Sequence, residues 1–452
     1  MSAVPGQNLD WSVFGRSKDL QARILFTLGA LIVYRIGTYI PLPGIDPNIL
    51  AEIFSQQQGG VLGIFDMFAG GALGRMTIFA LNIMPYISAS IIMQLMSSVS
   101  PELAKIKKEG ESGRKLINQY TRYLTVFLAA LQGYGIAAGL EGLSGTGGYS
   151  AVVDPGMFFR VTTVITLVGG TVFLMWLGEQ ITQRGIGQGI SLMIYAGIVA
   201  NLPSALSGTL ELGRTGALST LLIIALLVGS VLVIAFIIYV ERAQRRLTVQ
   251  YPQRQGGRMS GGDSSHLPLK INTSGVIPPI FASSVLLLPL TITSFQSGGG
   301  DTSDWVTTIS AMLGRGQPLY LLLFTAMIVF FAFFYTAVVF NPEETADNLK
   351  RNGGFIPGIR PGSNTADHID FVLTRLTAVG AIYLVLVCLL PEILISQYAV
   401  PFYFGGTSLL IVVSVTMDTV TQIQGYMFAQ QYAGLMKRQQ GKLGKKGKKA
   451  KR

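Results

Sequence analysis

Few side chains in this sequence could perform acid–base, nucleophilic or metal chemistry. The two histidines, His266 and His368, fall in charged, turn-rich segments, and the single cysteine, Cys388, lies in an apolar run. The sequence contains no HExxH, Walker A or GxSxG motif, so it predicts no metalloprotease, nucleotide-binding or serine-hydrolase site. We therefore predict that the protein is not an enzyme and has no catalytic residues, no metal site and no cofactor.

Charged side chains near or inside the apolar segments are also scarce. Glu179 and Asp418 fall near the ends of such segments, where water can solvate them, whereas Arg35 falls inside one. A charge at that depth is costly and has to face protein or water. Ion-coupled pumps usually carry carboxylates or histidines deep in the bundle. The sequence therefore favours a pathway lined by apolar side chains.

Isoleucines at helical spacing are candidates for such a lining. Ile83 and Ile87 are four residues apart, as are Ile190 and Ile194, so each pair shares one helix face. Such pairs most often pack against lipid or a neighbouring helix. In a pore, however, a ring of isoleucines would offer ions no hydrogen bonds and would close by dewetting. Pro85 lies between the first two and predicts a kink beside a cavity.

These residues belong to a chain that has to cross a membrane repeatedly. Of its 452 residues, 50% are hydrophobic and 13% are charged, against about 25% charged in soluble domains. Apolar segments of spanning length predict ten transmembrane helices, at 22–40, 76–99, 119–140, 158–178, 186–206, 217–240, 271–294, 317–340, 375–391 and 400–424. Five spans per half force the halves into opposite orientations, which predicts inverted repeats around a central path.

The basic residues predict the orientation of these spans. Among 34 Lys and Arg residues, only Arg75, Arg160, Arg214 and Arg315 fall in one set of alternate gaps. The rich side is expected to be cytoplasmic, with both termini. The net charge of +11 makes anionic lipids, or an acidic or RNA-bearing cytoplasmic partner, natural neighbours.

Several segments fall outside the spans. The stretch 61–74 is apolar but too short to cross, so it is either a re-entrant helix or an amphipathic helix on the outer surface. The long cytoplasmic gaps 241–270 and 341–374 are candidate docking surfaces. We divide the chain into a cytoplasmic segment (1–21), two halves (22–210 and 211–430) and a basic, disordered tail (431–452).

The sequence closely resembles the SecY family, the channel subunits of bacterial protein translocases, from about residue 23 to 431. The stretches that carry the resemblance are IPLPGID (40–46), MPYISASIIMQL (84–95), IKKEGESGRK (106–115), QYTRY (119–123), MWLGEQITQRGIGQGIS (175–191), HLPLKIN (266–272), GVIPPIFASS (275–284), NPEETADNLK (341–350), PGIRPG (357–362) and PFYFGGTSLLIVV (401–413). The resemblance implies an all-α polytopic membrane protein with an hourglass pore and a short re-entrant plug helix.

The resemblance also assigns roles to individual residues. The apolar pore ring of the family corresponds to Ile83, Ile87, Ile190, Ile194, Ile280 and Ile411. The plug corresponds to the stretch 61–74 and includes Val61, Ile64, Phe65, Met67, Phe68, Gly70 and Gly71. The lateral gate, through which segments leave for the lipid, includes Ser88 and Leu288.

The resemblance further implies partners and a function. Arg258 and Arg360 match positions that dock the SecA motor and the ribosome, although the chain has Met259 where the family has a second arginine. SecE and SecG are expected subunits, and signal sequences, unfolded precursors and membrane lipids are expected to contact the channel. The expected function is translocation of precursors across the bacterial inner membrane and lateral release of transmembrane segments. A secondary transporter of a small solute, also built from inverted repeats, is the alternative.

Overall fold

Helices make up nearly all of the structure, a computed structural model that describes residues 17–46, 49–50, 66, 69–142, 150–216, 219–251, 253–255, 258–260, 264–286, 317–398 and 406–449. The helices are α1 (Lys18–Gly37), α2 (Met84–Val99), α3 (Pro101–Lys108), α4 (Glu111–Gly142), α5 (Met157–Arg184), α6 (Gly189–Ala200), α7 (Leu202–Arg214), α8 (Thr220–Arg242), α9 (Ile277–Leu286), α10 (Pro318–Val339), α11 (Pro342–Arg351), α12 (Ser363–Tyr398) and α13 (Gly406–Lys449). Four short strands are β1 (Gln244–Gln250), β2 (Gln253–Gln255), β3 (Arg258–Ser260) and β4 (Ser264–Lys270).

The helices confirm the predicted class of an all-α polytopic membrane protein. Within the described residues, eight helical stretches are long and apolar enough to span a membrane, and α2 and α9 are shorter apolar helices. Together they correspond to the ten predicted segments. The residues 287–294 of the seventh predicted segment lie outside the described residues. The inverted relation of the two halves stays a prediction.

Local sequence explains where several helices begin. Ser219 precedes α8, and its hydroxyl accepts the backbone N–H of Leu222 at 3.3 Å. Asn341 precedes α11, and its side-chain oxygen accepts the N–H of Glu343 at 3.1 Å. Such caps satisfy donors that the first turn of a helix leaves unpaired. Pro342 follows Asn341 at the first helical position, where the missing N–H of proline does no harm.

The second predicted span, 76–99, is wrong in its first eight residues. The helix α2 begins only at Met84, and the residues 69–83 form consecutive turns. Met76 and Asn82 have φ angles of 42° and 49°, in the left-handed region that a right-handed helix excludes. Pro85 therefore lies in the first turn of α2 and begins the helix, whereas we predicted that it would kink one.

The gap predicted at 241–270 contains strands that the sequence analysis missed. The strands β1 and β4 pair antiparallel, and so do β2 and β3. Gln250 also exchanges two backbone hydrogen bonds with Phe355, of 2.9 and 3.0 Å. A small apolar core joins this gap to the gap 341–374 and contains Leu247, Val249, Leu269, Leu349, Ile356 and Ile369. The two gaps therefore form one folded unit, which we call the loop body.

The last helix also extends further than expected. We predicted a disordered tail from residue 431, but α13 continues to Lys449. Extending an existing helix needs no new nucleus, and Lys, Gln, Leu and Met are good helix formers. The residues 431–449 therefore continue the helix from which they emerge, and the residues 450–452 lie outside the described residues.

Two arginine–carboxylate pairs connect α4 and α5 near opposite ends. Near one end, Arg122 donates to both carboxylate oxygens of Glu179, at 3.0 and 2.7 Å. Near the other, Arg160 donates two hydrogen bonds to Glu141 Oε2, at 2.9 and 2.6 Å. Glu141 Oε1 also accepts the N–H of Gly156, the residue before α5 begins. The two helices are thus linked at both ends of their contact.

Removing Glu141 should destabilise the protein more than removing Glu179. Glu141→Ala removes the acceptor of a backbone N–H and the carboxylate partner of Arg160 at a part-buried position, whereas the pair of Glu179 is more exposed. We expect Glu141→Ala to lower the unfolding temperature of the purified protein in detergent by about 2 °C, and Glu179→Ala by less. Equal shifts for the two variants would contradict this ranking.

Candidate functional site

Five of the six candidate ring isoleucines surround one small cavity at the centre of the bundle. The volume of this cavity is about 10 Å³, which is no more than one water molecule needs. Ser283 and Ser284 also line the cavity, but their hydroxyls donate to the carbonyl of Ile280 at 2.9 and 2.8 Å. The five isoleucines are Ile83, Ile87, Ile194, Ile280 and Ile411.

The sixth isoleucine, Ile190, lines a different space. A cavity of about 1030 Å³ opens on one side of the constriction, and Ile190 contacts this cavity and not the small one. Ile87, Ile194 and Ile280 line both. The structure therefore brings five ring candidates together and sets the sixth one turn away along α6.

The ring candidates come from four helices that are distant in sequence. Ile87 lies on α2, Ile194 on α6, Ile280 on α9 and Ile411 on α13. Ile83 precedes α2 and is not part of it, so the argument that it shares a helix face with Ile87 is wrong. The N–H of Ile87 nevertheless donates to the carbonyl of Ile83 at 3.1 Å. This bond closes the first turn and holds the two side chains at the same cavity.

The large cavity, which we call the funnel, has a polar and charged wall. Arg242, Arg246, Lys270 and Asp418 line it together with Glu241. Several of these residues belong to β1, β4 or the end of α8, so the funnel opens toward the loop body. An open entrance with polar and charged side chains thus leads to an apolar constriction.

Buried hydrogen bonds fix the wall of the funnel where β4 leads into α9. Asn272 is 3% exposed and donates to Glu241 Oε1 at 2.7 Å and to the carbonyl of Gly275 at 3.0 Å. The hydroxyl of Ser274 donates to Asn272 Oδ1 at 3.1 Å. This network ties the start of α9, which carries Ile280, to the end of α8.

The glycine-rich loop 185–189 does not have a phosphate site. Three of its backbone N–H groups donate to side chains of three different helices, and that of Gly185 donates to the carbonyl of Ile181. The N–H of Ile186 donates to Thr27, that of Gly187 to Gln422 and that of Gly189 to Thr182, at 3.0, 2.9 and 2.9 Å. Because these donors are already satisfied, the loop is a helix junction that binds α1, α5 and α13 together.

The described part of the candidate plug lies beyond the constriction. Asp66 organises it, since its carbonyl accepts the N–H of Gly71 at 2.9 Å and its Oδ1 accepts that of Gly74 at 2.6 Å. Burial raises the pKa of the Asp66 carboxyl, although the N–H of Gly74 and the charge of Arg75 oppose this shift. The candidate plug residues Val61, Ile64, Phe65, Met67 and Phe68 lie outside the described residues.

Gly70 packs against the backbone of α6 next to the constriction. A Cβ atom at Gly70, whose φ is +66°, would lie 2.9 Å from the Cα of Gly197. Ile190, Ile194 and Gly197 follow one another along α6 at about 1.5 Å per residue. The helix therefore passes the funnel, the constriction and the candidate plug in that order. We call the face at Gly70 the plug side.

Sequence reasoning noticed Arg35 but not its partners. Arg35 Nη1 donates to the carbonyl of Gly70 at 2.8 Å, and Nη2 donates to the hydroxyl of Tyr39 at 3.0 Å. An arginine within an apolar span was the signal that a partner exists. Its acceptor is a backbone carbonyl 35 residues away, which leaves no trace in the sequence pattern.

The candidate gate and docking residues are placed only in part. Ser88 is 5% exposed on α2, which packs against α4, and Leu288 lies outside the described residues. Arg258 begins β3, although its side chain is not described. Arg360 is exposed in the loop body, and its carbonyl accepts the hydroxyl of Thr365 at 2.9 Å.

A water-accessible funnel that narrows to an apolar constriction inside a bundle of spanning helices defines a membrane channel. The SecY family model matches residues 77–420. Protein translocase subunit SecY of Rickettsia typhi is 56% identical over 93% of this chain and 97% of the relative. The Escherichia coli K12 protein of the same description is 55% identical over 97% of this chain and 98% of the relative. The chain belongs to the SecY family, and family membership makes it a translocase subunit and not an enzyme.

Solved structures share the fold at low sequence identity. One, described as "The structure of a protein conducting channel", has a TM-score of 0.59 at 17% identity and covers 94% of both chains. Sec61 in the canine ribosome–channel complex from the endoplasmic reticulum has a TM-score of 0.58 at 17% identity, with the same coverage. These likenesses confirm the fold.

Substituting Gly70 should test its contact with α6. Gly70→Ala introduces both left-handed strain and a clash with Gly197, whereas Gly216→Ala, at φ +76° with no atom within 4 Å, introduces only the strain. We expect Gly216→Ala to reduce the free energy of unfolding by about 1 kcal/mol and Gly70→Ala by about 2–4 kcal/mol. Thermal unfolding of the two variants in detergent measures the difference. Equal losses of unfolding free energy for the two variants would contradict a close contact between Gly70 and Gly197.

Proposed function

We propose that this protein conducts unfolded secretory precursors across the bacterial inner membrane. The apolar constriction between the funnel and the plug side carries the proposal. Isoleucine side chains can move apart for an extended chain without breaking hydrogen bonds, and they exclude ions when they close. Membership of the SecY family and the fold of protein-conducting channels support this use of the constriction.

The pore ring of the proposed channel is Ile83, Ile87, Ile190, Ile194, Ile280 and Ile411, with Ile190 at the funnel edge. The plug is the stretch 61–74, which includes Gly70 and Gly71 near its end. Its contact with α6, three residues beyond Ile194, supports a role in closing the plug side.

Transmembrane segments are proposed to leave sideways, through a gate that includes Ser88 and Leu288. A segment stays in lipid when about twenty apolar residues make its transfer favourable. A small side chain such as that of Ser88 suits a seam between helices that has to separate. Signal sequences are proposed to enter the same gate.

The energy for transport is proposed to come from partners. The loop body presents Arg360 as an exposed residue of the gap 341–374, and Arg258 lies in its other gap, 241–270. A guanidinium can bind carboxylates or RNA phosphates in bidentate fashion. We propose that the SecA motor and the ribosome dock there, and that SecE and SecG complete the channel in the membrane. The charge distribution supports an orientation with the loop body and both termini in the cytoplasm.

The alternative, a secondary transporter of a small solute, predicts a polar binding site near the membrane midplane. The space lined by the five isoleucines has almost no polar surface. No observation in the described part of the chain favours that alternative.

Crosslinking to a translocating chain tests the proposal directly. In a Cys388→Ala background, Ile83→Cys and Ile280→Cys place single thiols at the constriction, and Ile382→Cys places one on an exposed face of α12. We expect a precursor arrested in transit to crosslink to the first two positions and not to the third. Arrest of the precursor without crosslinks at the constriction would contradict the proposed path.

A polar substitution in the ring should open the seal to ions. Ile87→Asn or Ile411→Asn introduces hydrogen-bonding groups into the 10 Å³ cavity, whereas Ile190→Asn introduces them into the funnel, whose wall already has polar side chains. We expect Ile87→Asn and Ile411→Asn to raise the ion conductance of reconstituted vesicles at least about tenfold, and to relax selectivity for signal sequences. Ile190→Asn should change the conductance less. Equal conductance for all three variants would contradict the conclusion that the small cavity forms the seal against ions.

A further inference from the structure

The carbonyl oxygen of Gly70 accepts hydrogen bonds from two guanidinium groups. Arg35 Nη1 donates to it at 2.8 Å and Arg75 Nη2 at 3.2 Å. A carbonyl oxygen has two lone pairs, so both acceptor sites are occupied by charged donors. Charge-assisted bonds of this kind are stronger than bonds between neutral groups.

Tyr39 holds the two guanidinium groups at this position. The Arg75 guanidinium lies 4.2 Å from the centre of the Tyr39 ring and that of Arg35 lies 5.0 Å from it. The hydroxyl of Tyr39 also accepts a hydrogen bond from Arg35. The aromatic ring attracts both cations and so offsets the repulsion between two like charges that meet at one oxygen. The arrangement is built by Arg35 of α1, by Tyr39 just after that helix, and by the turns that contain Gly70 and Arg75.

Arg35 lies in a span, where a guanidinium needs a strong partner. Its donors reach the Gly70 carbonyl, the Tyr39 hydroxyl and, at 3.4 Å, the hydroxyl of Thr38. Among the described residues of the plug, Gly70 is the one that Arg35 contacts by a hydrogen bond. It also holds Gly70 where the backbone touches Gly197 of α6.

We propose that Arg35, assisted by Arg75, is a positioning residue that latches the end of the plug to α1 and thereby sets how readily the channel opens. This inference rests on the proposed function, because it assumes that the plug moves away when a precursor enters. Displacement of the plug breaks the bond between Arg35 and Gly70 and the contact between Gly70 and Gly197. A signal sequence therefore has to supply enough favourable interaction to compensate for their loss.

The first test measures movement of the plug without any translocation. Ala69 neighbours Gly70 and is 2% exposed, so a thiol at Ala69→Cys, in a Cys388→Ala background, should react slowly with a hydrophilic maleimide. The experiment uses the complete translocase complex in vesicles. We expect Arg35→Met, which keeps the length of the side chain but removes its donors, to increase the reaction rate about tenfold. Arg35→Lys, which can make one bond to Gly70, should give an intermediate rate.

Matched controls separate the latch from general destabilisation. Ala137→Cys, fully buried on α4, should keep its slow rate in the Arg35→Met protein. Arg160→Met removes an arginine that pairs with Glu141 instead of Gly70, and it should leave the Ala69→Cys rate unchanged. An unchanged Ala69→Cys rate in Arg35→Met overturns the proposal, and so does an equal rise at Ala137→Cys. If Arg35→Met does not fold, Arg75→Met, which removes the longer bond, has to raise the Ala69→Cys rate by itself.

The second test measures selectivity. Arg35→Met should transport a precursor with a shortened apolar signal core about tenfold faster than the unsubstituted channel, while transport of a precursor with an intact signal changes little. Unchanged selectivity for the two precursors would overturn the link to opening. Absence of transport for every precursor in the unsubstituted channel would instead contradict the proposed function, and the thiol rates would still report on the latch.

Discussion

Backbone polar groups that leave a helix at membrane depth have to find partners inside the protein, and the architecture around the constriction depends on this constraint. The turns from residue 69 to 83 lie against α6 and cannot pair as a helix does. Their bonds go elsewhere: Leu42 donates to Met76 and Ile78 donates to Ile40, at 2.9 and 3.0 Å. The segment that follows α1 thus pairs with the segment that precedes α2. Non-helical chain is stable there because its neighbours complete its hydrogen bonds.

In the proposed channel, the constriction and the plug side close the pathway by different physical means. At the constriction, closure depends on apolar contact and on the absence of room for water. Such contact is non-directional, so side chains can separate gradually around chains of different shape. On the plug side, closure depends on directional bonds to one carbonyl. Breaking such bonds requires a defined amount of free energy, so opening on the plug side is expected to have a threshold, whereas the isoleucines can separate gradually.

The sequence predicted well whatever depends on hydropathy and poorly whatever depends on a single long-range contact. Spanning helices such as α8 follow from an uncharged run of apolar residues, and the loop body follows in outline from charge. The late start of α2 does not, because it depends on left-handed φ angles at Met76 and Asn82 that composition does not indicate. Strand β1 shows alternate burial at Leu247 and Val249, a period-two signal that a search for spans overlooks. The separate position of Ile190 depends on how four helices meet.

The loop body also has a mechanical consequence. Its apolar core and the paired hydrogen bonds between Gln250 and Phe355 join the chain after α8 to the chain between α10 and α12. A load applied at the exposed Arg360 is therefore shared by both connections and does not bend one hairpin alone. A displacement of the loop body is therefore expected to move the connected transmembrane helices α8, α10 and α12 together. A proposed partner that pushes on the loop body from one side of the membrane would therefore move helices that reach the other side.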